Sequence, residues 1–148
     1  MFEWLTQWIR RRQVEAAFRR ANDGFIDEER RQLYRTLTWR VTEVALEDLG
    51  VWHQAQGLPG DWCRGSVVDT AAHLVGEVWD GEYGKKLRYL LAQPEFDAII
   101  VVDGRLRRGR EACDSVLWSI DDGCMRALAS ALRGATHIAC YAGAAGIE

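Results

Sequence analysis

A chain of 148 residues, 48% hydrophobic and 28% charged, suits one globular domain; these values exclude intrinsic disorder and a chain too short to bury a core. A net charge of −3 argues against a nucleic-acid partner, and no apolar run approaches the ~18 residues of a transmembrane segment.

The stretch Met1 to Arg12 is apolar first and basic afterwards, the reverse of a secretory signal, so the expected location is cytoplasmic. In that setting Cys63, Cys113, Cys124 and Cys140 read as reduced thiols, and without a C-x-x-C pair they read as small buried hydrophobes and not as zinc ligands. Charge is unevenly spread. Residues 1–40 carry +3, residues 41–104 carry −7 and residues 105–148 carry +1, so an acidic block sits between two basic flanks. That block suits either the chain's own arginines or a basic partner. Seven tryptophans are many for this length; most should be core, and any left exposed should mark a binding surface.

Residues 2 to about 21 have helical spacing, with Trp4, Leu5, Trp8 and Ile9 on one side and Val14, Ala17, Phe18 and Ala21 on another. Asn22-Asp23-Gly24 ends this helix. Asp27 then caps what the pattern predicts to be a long central helix reaching Leu49, with Leu33, Leu37, Val41 and Val44 as its stripe. Residues 50–65 read as a loop. Ser66 caps a third helix, with Asp69 at the third position of a capping box and an apolar arc of Val67, Val68, Ala71, Leu74, Val75, Val78 and Trp79. A short helix follows, stopped by Pro94.

The last third changes character. Ala98 to Val102 is a β-branched run that reads as a buried strand, with Asp103-Gly104 as a turn after it. Residues 111–120 fit strand and helix equally, 121–133 reads as a helix, and 136–141 as a final strand. The expected fold is therefore α+β, one domain over residues 1–148, with the helical N-terminal two-thirds packed on a small C-terminal strand-helix-strand sheet; the alternative is a small α/β fold.

Four places offer chemistry. Asp69, His73 and Glu77 fall at i, i+4 and i+8 on the predicted third helix, with Asp80 beside Glu77; carboxylates plus one imidazole suit Mg²⁺ or Mn²⁺, and Glu43 and Glu47 on the predicted central helix would add a facing pair. Such a centre would activate water to hydrolyse phosphate esters or anhydrides. The strand ends Asp103-Gly104, Asp121-Asp122-Gly123 and Gly143 to Gly146 are a second place, since ligands gather at the carboxyl ends of parallel strands. Nucleophilic catalysis finds no support, because no motif joins a cysteine or serine to a histidine. The fourth place is the first helix, where Trp4, Leu5 and Trp8 precede Arg10, Arg11 and Arg12, the residue types of interface hot spots.

Absent catalytic motifs, many tryptophans and the charge layout together favour a small protein-binding domain, of inhibitor, immunity or adaptor type, with no cofactor and a protein partner or a second copy of itself as target. The alternatives are the divalent-metal hydrolase and a peripheral membrane protein held by the same first helix.

Overall fold

A computed structural model describes residues 2–51, 58–107 and 117–145. It is an α+β structure in which a five-stranded mixed sheet is covered by helices on both faces. In chain order the elements are α1 (Glu3–Ala21), α2 (Glu28–Arg35), β1 (Leu37–Ala45), β2 (Leu49–Gly50), α3 (Val67–Leu74), α4 (Gly81–Leu91), β3 (Ile99–Asp103), β4 (Trp118–Asp122), α5 (Cys124–Leu132) and β5 (His137–Ala145). The sheet order is β1-β5-β3-β4-β2. β5 lies antiparallel to β1 and parallel to β3, and β4 lies antiparallel to β3 and parallel to β2.

β3 explains the layering. Its side chains alternate, so Ile99 and Val101 enter one core while Ile100 and Val102 enter the other, and a strand covered on both faces needs an unbroken apolar run. The smaller core holds Val14 and Phe18 of α1, Tyr34 of α2, and Leu37 and Trp39 of β1. The larger one gathers α3, α4 and α5 through Ala71, Leu74, Leu87, Met125 and Leu128. In the smaller core Phe18, Tyr34 and Trp39 meet edge to face, with Tyr34 and Trp39 centroids 5.1 Å apart, and the Trp39 indole N–H donates to the Tyr34 carbonyl at 3.0 Å. Gly143, directly across from Trp39 on β5, is the space that ring fills: an added Cβ would stand 2.8 Å from Trp39 Cη2.

The predicted central helix does not form. The helix capped by Asp27 stops at Arg35, and residues 37–45 make the edge strand β1. The stripe Leu33, Leu37, Val41, Val44 is a coincidence of spacing; Thr36, Thr38, Val41, Thr42 and Val44 are β-branched, and pairing with β5 decides the matter. The third helix is also shorter than expected. Ser66 Oγ accepts from the Asp69 amide at 3.1 Å, as a cap should, but the helix ends at Leu74, and Gly76 follows with φ +81°. Val75 and Val78 are consequently exposed and no apolar arc reaches Trp79. Asp121 and Asp122 belong to β4 and not to the start of α5. Asp103-Gly104 leads into a 3₁₀ turn, Gly104–Arg107, and not into a tight two-residue turn, although β3 and β4 do pair antiparallel.

Candidate functional site

α1 is anchored along one side only. Val14 and Phe18 are buried in the smaller core, and two polar residues one and two turns earlier fasten the helix to the sheet edge. The Gln7 amide acts as a substitute strand: Trp39 N–H donates to Gln7 Oε1 at 2.7 Å, and Gln7 Nε2 donates to the Trp39 carbonyl at 3.1 Å. Arg10 Nη1 donates to the same carbonyl at 3.1 Å. β1 is the sheet edge, so these contacts occupy backbone groups that would otherwise face water or another strand.

The other side of α1 is uncovered. At 100° per residue, Trp4, Leu5, Trp8 and Ile9 lie away from the Gln7, Arg10, Val14, Phe18 stripe. Their fractional exposures are 70%, 38%, 44% and 44%, and Phe2 just before the helix is at 61%. Of the other described tryptophans, Trp39 and Trp62 are buried, and Trp79 and Trp118 are half-buried against the larger core; Trp52 lies outside the described residues. The six residues singled out on this helix therefore divide. Trp4, Leu5 and Trp8 form the exposed stripe, with the Arg12 guanidinium 5.0 Å over the Trp8 ring and Arg11 half-exposed, whereas Arg10 turns inward onto Trp39.

The acidic residues of the third helix are dispersed. Asp69 and His73 are on α3, while Glu77 and Asp80 lie beyond its end, so the i, i+4, i+8 row does not form. His73 Nε2 is instead 2.8 Å from Arg64 Nη2, and that guanidinium also donates to the Asp61 carbonyl at 2.8 Å. Glu43 is on β1 and Glu47 in a 3₁₀ turn, not on a facing helix. Among the described residues no three of His, Cys, Asp or Glu come close enough together to hold a metal ion.

The strand ends separate too. Asp103 accepts a backbone hydrogen bond from Ala145, which places the ends of β3 and β5 side by side. β4 runs the other way, so Asp121 and Asp122 sit at the far end of the sheet. Arg105 grips Asp103 with Nε at 3.0 Å and Nη2 at 2.6 Å, and these hydrogen bonds hold the Asp103 carboxyl below the usual range despite its burial. Asp121, its side chain wholly covered, receives the Tyr34 hydroxyl and Arg30 Nε, the latter at 2.9 Å. Burial, reinforced by that carboxylate, keeps the Tyr34 hydroxyl far above the ordinary phenol range. Asp122 pairs with Arg126 at 2.7 Å. Asp121 thus ties α2 to the sheet, and Asp122 ties α5 to it. Two surface clefts had no counterpart in the sequence patterns. One, of about 430 Å³, lies between Pro94–Asp97, the end of α5 and the start of β5. The other, of about 380 Å³, lies between α1 and α2.

Cys63, Cys124 and Cys140 are buried, and Cys113 lies outside the described residues. Burial pushes the Cys140 thiol up to about 11 and raises that of Cys63. Iodoacetamide at pH 8 should therefore leave Cys140 unmodified in the native protein and modify it once guanidinium is added, with peptide mass mapping as the readout. Alkylation of native Cys140 would mean that β5 is not covered as described.

No helix among the described residues is long and apolar enough to cross a membrane. Comparisons of the chain with protein-family models, with curated proteins and with solved structures find no match.

Proposed function

We propose that this is a small cytoplasmic binding domain that acts by occupying a partner protein's surface with the first three turns of α1. The observation carrying this reading is the exposed row Trp4, Leu5, Trp8 and Ile9 on a helix whose opposite side is fastened to the fold. Tryptophan flanked by arginine is the composition of interface hot spots, and a helix offering large apolar side chains at i, i+4 spacing suits an apolar groove. Arg11 and Arg12 beside the stripe favour a groove with an acidic rim. Anchoring by Gln7 and Arg10 removes part of the ordering cost that a free helix would meet on binding.

The test places a photo-crosslinking residue at position 5, identifies the adduct formed in cells, and measures the purified partner's affinity. Trp4→Ala with Trp8→Ala should weaken binding about 100-fold or more, since hot-spot aromatics contribute about 2 kcal/mol or more each. Both positions are exposed, so the melting temperature should change little. Undiminished binding by the double variant would refute the proposal, as would a wild-type chain that yields no adduct but floats on phosphatidylcholine vesicles through Trp4 and Trp8.

A further inference from the structure

The cleft between α1 and α2 is lined by Arg12, Glu15, Ala16, Arg19 and Arg31. Positions 12, 15, 16 and 19 form one face of α1 at i, i+3, i+4 and i+7, and Arg31 of α2 faces it, so two helices bring three guanidinium groups around one space. Their partners are few. Arg31 Nη1 reaches Glu28 at 3.3 Å, Arg12 stacks on Trp8, and Arg19 makes no ion pair among the described residues. Arg31 Nε is buried with no hydrogen-bond acceptor, so that guanidinium is only partly satisfied within the chain. Glu15, only 8% exposed, sits among these cations yet makes no ion pair with them among the described residues.

We propose that this cleft is a phosphate-binding site in which Arg12, Arg19 and Arg31 take the ionised oxygens and Glu15 accepts the hydrogen of a P–OH. Three cations and one carboxylate leave a formal charge of +2, which complements a phosphate group, and the planar guanidinium fork matches its oxygens. The same carboxylate confers selectivity. Inorganic phosphate keeps at least one P–OH at neutral pH, whereas sulfate keeps none, so sulfate would turn an oxygen lone pair toward the Glu15 carboxylate. A volume of about 380 Å³ lies at the small end of ligand pockets and leaves room for a group that bears the phosphate, a monoester binding in its singly protonated form. The site stands apart from the α1 stripe and does not depend on its role, although Arg12 touches both.

The test is a thermal melt of the full chain at constant ionic strength in chloride, sulfate or phosphate. Phosphate should raise the melting temperature saturably, by ~5 °C or more once it exceeds its Kd a hundredfold, and sulfate should not. Arg19→Gln and Arg31→Gln should each weaken phosphate binding about tenfold or more. Glu15→Gln should let sulfate raise the melting temperature as phosphate does, a gain that loss of folding cannot imitate. Flotation on phosphatidic-acid vesicles separates the two sources of such a group: binding that requires Arg19 assigns a lipid headgroup, and no flotation with the phosphate shift intact assigns a soluble one. Equal shifts in phosphate and sulfate for the wild type would overturn the proposal, and so would a phosphate shift that survives Arg19→Gln with Arg31→Gln.

Discussion

Arg30→Met is expected to destabilise the fold by about 3 kcal/mol, far more than a half-exposed arginine on a surface helix ordinarily contributes. The reason lies across the chain. Arg30 Nε meets Asp121 Oδ2 at 2.9 Å, and the Asp121 side chain is wholly covered while that of Arg30 is 27% exposed. Removing the guanidinium takes a close cation from a carboxylate in the interior; removing the carboxylate leaves an arginine that still reaches Asp27 at 3.0 Å and water. Asp121→Asn should therefore cost less than Arg30→Met. The double variant should cost less than the two single losses combined, with a coupling of about 1–3 kcal/mol. Methionine retains much of the packing over the Phe18 ring, which the guanidinium carbon approaches to 4.3 Å, so the loss reports the charge and not a cavity. Chemical denaturation of the four proteins reads the cycle. A loss below about 1 kcal/mol for Arg30→Met, or strict additivity, would show that Asp121 does not depend on this arginine.

Gly123→Ala should be at least as damaging, by about 3 kcal/mol or more, which is roughly a 10 °C fall in melting temperature for a domain of this size. Two effects combine. Gly123 joins β4 to α5 with φ +109°, a conformation that L side chains rarely adopt. An added Cβ would also stand 2.4 Å from Ile99 Cγ2 and 2.8 Å from Ile99 Cβ, and Ile99 is fully buried in the larger core with no room to retreat. Gly134 supplies the control, because its φ is +84° and nothing lies within 4 Å of its would-be Cβ. Gly134→Ala should cost only the backbone strain, about 1 kcal/mol. If the two alanines prove equally costly, α5 does not press on β3 as closely as described.

Local chemistry was what the sequence made readable. Asp27 and Ser66 cap helices because a short oxygen-bearing side chain just before a helix can accept an amide hydrogen of its first turn. The run Ile99 to Val102 announces a strand buried on both faces. β1 was hidden because no glycine or proline separates Arg35 from Leu37, and because four apolar residues happen to keep helical spacing through a segment that pairs with β5. A heavier weight on its β-branched residues would have exposed it. The row Asp69, His73, Glu77 failed as a shared face for the opposite reason: Gly76 is a local stop that the wheel of charges overrode. The Arg30–Asp121 pair and the α1–α2 cleft were beyond any local pattern. Each depends on which elements lie against each other, and a pair 91 residues apart leaves no periodic trace. On α1 the sequence revealed both apolar stripes, but the burial of Val14 and Phe18 and the Gln7 and Arg10 contacts to Trp39 are what say which one faces the sheet.

That orientation of α1 is the central claim, and hydroxyl-radical footprinting of the tryptophans tests it most directly, in the free protein and with the cross-linked partner bound. In the free protein Trp4 and Trp8 should oxidise rapidly while Trp39 and Trp62 stay protected, and the partner should protect Trp4 and Trp8 alone. Slow oxidation of Trp4 and Trp8 in the free monomer, or oxidation unchanged in the complex, would contradict it.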